Sequence, residues 1–184
     1  MKRRLRLGLI LLLCGIGAYF WWQHWREHRF DKLIAMAARK YQVDPALVKA
    51  VIWRETNFNP GAHGRKGEIG LMQLLPDAAG EWAKAEGVGH FEFRQCWDPA
   101  NNVLAGTWYL KKNLKRYLPT DNPAAFALAD YNAGRGNSRK WQYGSGKTNS
   151  ATFIGQIEFP STKNYVQAIL HRRERYKKDF VAKP

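Results

Sequence analysis

Glu55 is the residue of this 184-residue chain around which chemistry is most readily built. Val48, Val51 and Ile52 recur at the spacing of one helical face, and Glu55 stands four and three positions beyond the last two, on that same face. A carboxylate on an apolar face either finds a cationic partner or is kept protonated by desolvation. A carboxyl still protonated near neutral pH is a general acid. Periodicity leaves a second reading open, in which Glu55 sits at the helix end and turns into solvent beside Arg54.

The residues that would surround such an acid are polar and aromatic. Thr56 to Pro60 form a polar loop with one aromatic, Phe58, and Gly70-Leu71-Met72-Gln73 follows. The Gln73 amide offers both a donor and an acceptor for sugar hydroxyls or acetamides, and Met72 a soft apolar wall. Tyr131-Asn132 adds an aromatic and an amide at another helix end, and Tyr165 a second phenol. One acid, two amides, two tyrosines and several tryptophans suit an amidated carbohydrate, and suit a phosphate or a metal poorly. His24, His28, His63, His90 and His171 are scattered without ligand spacing, so no metal is expected. No Gly-rich phosphate loop and no Ser/Cys–His arrangement stands out, and no cofactor is implied.

The elements that must position these groups read as helices almost throughout. Phe30, Leu33, Ile34 and Ala37 mark one amphipathic helix. Asp44-Pro45 is a cap followed by proline at the first helical position, and starts the helix that carries Glu55. A Gly/Asn/Pro-rich loop runs from Asn57 to Gly67. Asp98-Pro99 repeats the start signal ahead of an apolar face of Val103, Leu104, Trp108, Leu110 and Leu114. A shorter helix from about Pro123 to Asp130 is closed by Asn132-Ala133-Gly134. A loop around Tyr143 to Ser150 leads to a short extended piece over Phe153 to Phe159 and a final basic helix from about Thr162 to Phe180. No internal repeat is seen. The expected fold is all-α, residues 30–184 forming one domain behind an N-terminal segment, residues 1–29.

That segment has its own chemistry. Lys2, Arg3, Arg4 and Arg6 precede an uncharged run from Leu7 to Trp22 that ends in Tyr19, Phe20, Trp21 and Trp22. Basic residues on one side and aromatics at the other edge are what a bilayer selects. The run has 16 residues, slightly below the roughly 17–25 of a spanning helix, and flanking Arg and Trp side chains extend it by snorkelling. No small-x-small cleavage site follows cleanly, and Leu13 is too large before Cys14 for a lipidation signal. The expectation is an uncleaved single-pass transmembrane helix of the cytoplasmic (inner) membrane. The N-terminus would lie in the cytoplasm and the domain in the periplasm or wall space. His24 to Arg29 would be a short polar join. Cys14 and Cys96 are not expected to meet.

The formal net charge of +15 favours a polyanionic neighbour: nucleic acid, anionic lipid or an acidic wall polymer. No zinc spacing, basic heptad helix or aromatic RNA-binding strand appears, so nucleic acid is not expected. Clusters such as His171, Arg172, Arg173 and Arg175 read as a solvated face.

Several short motifs stand in one order: Glu55-Thr56, Gly70-Leu71-Met72-Gln73, Ala129-Asp130-Tyr131-Asn132-Ala133-Gly134 and Asn164-Tyr165-Val166. Between them stand Asp98-Pro99, Asn102 and Gly106-Thr107-Trp108-Tyr109-Leu110. In this order and spacing the chain resembles the soluble-lytic-transglycosylase (SLT) family over roughly residues 30 to 178. The resemblance implies a lysozyme-like α-helical domain that acts on peptidoglycan glycan strands, cleaving the β-1,4 bond between N-acetylmuramic acid (MurNAc) and N-acetylglucosamine (GlcNAc). It implies that Glu55 serves first as general acid on the glycosidic oxygen and then as base towards the muramic C6 hydroxyl, leaving a 1,6-anhydro end. Thr56, Met72, Gln73, Tyr131, Asn132 and Tyr165 would bind substrate. One acid suffices if the substrate's own acetamide stabilises the oxocarbenium-like centre.

Three positions depart from the family pattern. Thr56 stands where Ser is usual, and Asp130 where a small residue is common, read here as a surface helix position. Ser161-Thr162-Lys163 replaces a Glu-Thr-Arg stretch and so lacks a second carboxylate. Glu68 is the nearest alternative acid, and its Gly-rich loop implies a solvated position. A goose-type muramidase that hydrolyses the same bond is the competing enzyme, requiring Glu68 or Asp130 as second carboxylate. A catalytically silent wall-binding module of an envelope machine, its protein partners unknown, is the competing non-enzyme.

Overall fold

The computed structural model describes residues 2–181, with side chains described from residue 8 onward apart from residue 9. The chain is helical: α1 (Lys2–His28), α2 (Asp31–Tyr41), α3 (Pro45–Thr56), α4 (Pro76–Ala85), α5 (Pro99–Lys115), α6 (Pro123–Ala133), α7 (Arg135–Lys140), α8 (Ser150–Gln156) and α9 (Pro160–Tyr176). Short 3-10 turns cover Phe93–Trp97, Gly144–Lys147 and Lys177–Asp179. Two isolated bridges, His63 to Ile69 and Ile69 to Leu74, tighten the α3–α4 loop, and no strand is present among the described residues.

Local chemistry sets these boundaries. The Asp44 carboxylate accepts the Ala46 N–H at 2.9 Å, with Pro45 at the first turn of α3. Asp98 accepts from Ala100 and Asn101 at the start of α5, where Pro99 plays the same part. Each carboxylate satisfies amides that the first helical turn leaves unpaired. Asn57 closes α3 in the left-handed conformation at φ 49°, which turns the chain into the loop directly after Glu55 and Thr56.

α6 is the centre of the core. Ala124 to Asp130 are all buried, so this helix is covered on every side, by α5, α9, α7 and α8. α3 lies along α9. Phe126 stacks on Phe153 of α8 at 4.2 Å between ring centroids and on Tyr117 at 5.3 Å.

The structure differs from the sequence expectations at several points. Phe153 to Gln156 belong to α8 rather than an extended piece, because Asn149 caps that helix through the Thr152 N–H and the Phe126 stack holds Phe153 inside. Helices α4 and α7 are additional to the expected elements: α4 buries Ala79, Trp82 and Ala83 on one face, and α7 is six residues long with no apolar stripe. The last helix begins at Pro160 and ends at Tyr176. Asp130 is buried, not on the surface: only 2% of it is exposed, and it accepts from the Tyr117 hydroxyl at 2.9 Å with Arg116 3.4 Å away. Burial pushes its carboxyl above the usual range.

The N-terminal segment is one helix through His28, so the expected polar join is helical. Among the described residues no helix is long and apolar enough to cross a membrane. The sequence expected a spanning helix here, but its run is short and diluted by Gly8, Gly15, Gly17 and the polar-edged aromatics. The basic flank at Lys2, Arg3, Arg4 and Arg6, with Leu7 and Leu9, lies outside the described side chains.

The C-terminal end of α1 is fastened to the domain. Glu27 takes the Tyr176 hydroxyl and lies 3.6 Å from Arg172, while Arg29 donates to the Phe58 carbonyl at 2.5 Å. Lys49 of α3 has no exposed surface. Its Nζ lies 2.7 Å from Asp31, 2.8 Å from Asp179 and 3.2 Å from His28 Nδ1. One ammonium thus ties α1, α2, α3 and the C-terminal turn together, and occupies the space between three side chains whose ligand atoms lie within 4.8 Å of one another.

Candidate active site

The last turn of α3 presents Glu55 to a cavity of about 720 Å³ lined also by Trp53, Thr56, His63, Gln73, Asn164 and Ala168. A narrower cavity of about 280 Å³ continues from it, sharing Glu55 and Gln73 and adding Glu68, Tyr131 and Asn132. A third, of about 330 Å³, shares Gln73, Tyr131 and Asn132 and runs on to Tyr109, Asp130 and Gly134. Glu55 therefore stands within a groove that extends to both sides of it. A polymer could lie across this groove with the acid at one interior bond.

Glu55 does not turn into solvent. Its carboxyl is raised from 4.5 to about 7, chiefly by burial, which disfavours the ion, and slightly by the charge of Glu68. The Tyr165 hydroxyl and Arg54 pull the other way. Tyr165, from α9 and 3% exposed, donates to Glu55 Oε1 at 2.6 Å. Burial first, and the Glu55 charge second, hold the Tyr165 and Tyr131 phenols well above their usual range, so both remain donors whatever the state of Glu55. A carboxyl with its proton affinity near pH 7, held by a phenol that stays protonated there, has the chemistry a general acid–base group needs.

The wall opposite α3 is the Gly70–Gln73 turn, and a residue of α5 builds it. Asn102 is fully buried; its Oδ1 accepts the Met72 N–H at 2.8 Å, and its Nδ2 donates to the Ile69 and Cys96 carbonyls at 2.9 Å each. Gly70 takes φ 73°, and a side chain there would collide with Asn102. Gly106 likewise leaves room for Met72. Sequence reading placed Asn102 in the middle helix without a role; a polar residue at an otherwise buried helical position was the available signal.

The expected binding residues divide accordingly. Gln73, Tyr131 and Asn132 line the groove. Gln73 holds φ 47° and spends its Nε2 on the Ala62 and Gly70 carbonyls, at 3.1 and 3.0 Å, so its amide braces the loop as well as facing the cavity. Tyr131 donates to the Met72 carbonyl at 2.9 Å. Asn132 is exposed, with its Oδ1 receiving the Thr162 hydroxyl at 2.8 Å. Met72 is fully buried and supports the wall from behind rather than facing sugar. Thr56 borders the cavity, but its hydroxyl reaches the Leu71 carbonyl at 2.9 Å and joins α3 to the opposite wall. Tyr165 holds the acid. Glu68, expected in solvent, is half-buried inside the groove.

The chain is similar to known proteins over most of its length. Residues 32–154 match the Transglycosylase SLT domain family. The membrane-bound lytic murein transglycosylase C of Klebsiella pneumoniae is 33% identical over 138 residues, 72% of this chain and 38% of that protein. Its namesake in Shigella sonnei is 35% identical over 118 residues, 61% of this chain and 33% of that protein. The chain thus spans well under half the length of these relatives. Among solved structures, an inactive mutant of lytic transglycosylase Slt from Pseudomonas aeruginosa superposes with TM-score 0.74 at 25% identity, over 83% of this chain and 24% of that one. A complex of the 70-kDa soluble lytic transglycosylase with bulgecin A gives TM-score 0.72 at 26% identity, over 85% of this chain and 25% of that one.

Proposed function

The chain belongs to the Transglycosylase SLT domain family, and from that membership we propose that it is a peptidoglycan lytic transglycosylase held at the membrane by α1. It cleaves the MurNAc-β-1,4-GlcNAc bond of glycan strands. The observation that carries this reading is Glu55: a half-buried carboxyl with its proton affinity near 7, inside a groove open to both sides.

In the reaction, protonated Glu55 gives its proton to the glycosidic oxygen as the bond to the muramic C1 breaks. The resulting carboxylate accepts the proton of the muramic C6 hydroxyl, whose oxygen attacks C1. The product is a 1,6-anhydro end, the acid is regenerated and no water enters. Tyr165 keeps the Glu55 carboxyl in one orientation through both half-steps. Gln73, Tyr131 and Asn132 line the sugar subsites. The relatives named lytic murein transglycosylases support this reading, as does the superposition on lytic transglycosylase Slt.

Membrane attachment rests on α1. Leu11 and Phe20 are 64% and 65% exposed, Trp21 is 68% exposed, and apolar residues lie on every side of the helix from Ile10 to Trp22. An exposed segment apolar on every side, though short for a span, is suited to insertion in a bilayer with its flanking basic and aromatic residues making up the length. The basic N-terminal flank would stay in the cytoplasm and residues 30–184 would work in the wall space. The relatives' description as membrane-bound is consistent with this. Clearing of a peptidoglycan suspension by the membrane fraction tests both parts. Clearing must vanish with Glu55→Gln and move to the soluble fraction when Leu12 and Ile16 are changed to Glu. Persistent clearing by Glu55→Gln would refute the enzymatic assignment, and retention of the charged variant in the membrane would refute the anchor.

A further inference from the structure

Glu68 is a built feature of the groove. Its carbonyl accepts the Gly64 N–H at 2.7 Å, and the bridges on either side of Ile69 pin the next residue. One carboxylate oxygen, Oε2, accepts the Lys66 N–H at 2.8 Å. Gly64 leaves room for this carboxylate where it stands: a side chain there would displace the ends of Glu68 and Gln73. The other oxygen has no assigned donor among the described residues. The cavity that Glu68 enters is the one containing Glu55, Gln73, Tyr131 and Asn132.

We propose that Glu68 is a second carboxylate of the reaction, acting by its charge: it keeps the Glu55 proton in place before cleavage and stabilises the positive charge that develops on the muramic ring. The inference rests on the transglycosylase reading and deepens it. Glu68 forms no bond to the sugar and moves no proton in this role. The groups around it set its strength. Arg65 and Lys66 flank it in the loop, Glu55 comes from α3, and Tyr131 and Asn132 come from α6. The phenol of Tyr131 is neutral, and Lys66 meets Glu68 through its backbone amide. A negative charge held in the groove beside a developing cation is worth more than the same charge in bulk solvent. The charge of Glu68 also acts in the raising direction on Glu55.

The test compares the full chain in detergent with Glu68→Gln and Glu68→Asp. Two readouts are used: turnover of purified peptidoglycan across pH, and the carboxyl titration of Glu55 by carbon NMR without substrate. With the fold intact by circular dichroism, Glu68→Gln should lose about tenfold or more in turnover at little change in KM. It should also lower the Glu55 midpoint. Glu68→Asp should recover part of both. A folded Glu68→Gln protein with turnover and midpoint unchanged would overturn the proposal and leave Glu68 as a loop brace. If the unaltered chain turns over no peptidoglycan, the transglycosylase reading fails instead, and the Glu55 midpoint alone decides whether Glu68 acts on it.

Discussion

The hydroxyl of Tyr165 meets Glu55 Oε1 at 2.6 Å across 110 positions of sequence, joining the last turn of α3 to the first half of α9. The α3–α9 packing therefore serves the site directly: it brings a phenol that stays protonated to the Glu55 carboxyl.

Removing that hydroxyl has a definite sign. The hydrogen bond favours the Glu55 carboxylate, so Tyr165→Phe should raise the Glu55 midpoint above its value near 7. The high-pH limb of the pH–rate profile should then move to higher pH while the plateau falls by about one order of magnitude, since the acid is no longer fixed. A limb that moves to lower pH would contradict this account of the bond.

Glu55 should also cost the fold stability once ionised. Its folded pKa of about 7 lies above the ordinary 4.5, so the folded state holds more protons between those values, and stability falls as pH rises through that window. Glu55→Gln removes the penalty. It should stabilise the protein by on the order of 2 kcal/mol at pH 8 and far less at pH 4.5. Urea unfolding at the two pH values measures the difference.

Asn102→Ala should destabilise without touching substrate. Three hydrogen bonds to the Ile69–Met72 backbone and to Cys96 are lost, leaving buried amide and carbonyl groups unpaired. A cost of about 2–4 kcal/mol follows, with activity falling as the Gly70–Gln73 wall loosens. Denaturant unfolding and turnover at low temperature separate the two effects.

Lys49→Met should free the ends of the domain. It leaves Asp31 and Asp179 without their shared ammonium, at a cost of about 3 kcal/mol or more. Limited proteolysis should then cut near Phe180 and at the α1–α2 junction sooner than in the unaltered chain. Unchanged cutting would mean that the other ties of α1, through Glu27 and Arg29, suffice alone.

The parts of this site that were legible in the sequence are those set by local chemistry. Asp44-Pro45 and Asp98-Pro99 announce helices because a carboxylate cap and a proline satisfy the same first turn. Glu55 follows from its place on an apolar stripe. What stayed hidden depends on contacts between distant segments. Asp130 looked like a surface residue because nothing nearby in sequence shows that Tyr117 and Arg116 would meet it. Thr56 and Met72 looked like sugar contacts, whereas their neighbours turn one towards a backbone carbonyl and the other into the core. Glu68 is enclosed by loop bridges that leave no periodic trace.

Mass spectrometry of the soluble products of peptidoglycan digestion by the full chain tests the central claim most directly, with Glu55→Gln as control. The account predicts muropeptides one water lighter than hydrolysed ends, absent from the control. Hydrated reducing ends, or no soluble product from the folded chain, would contradict it.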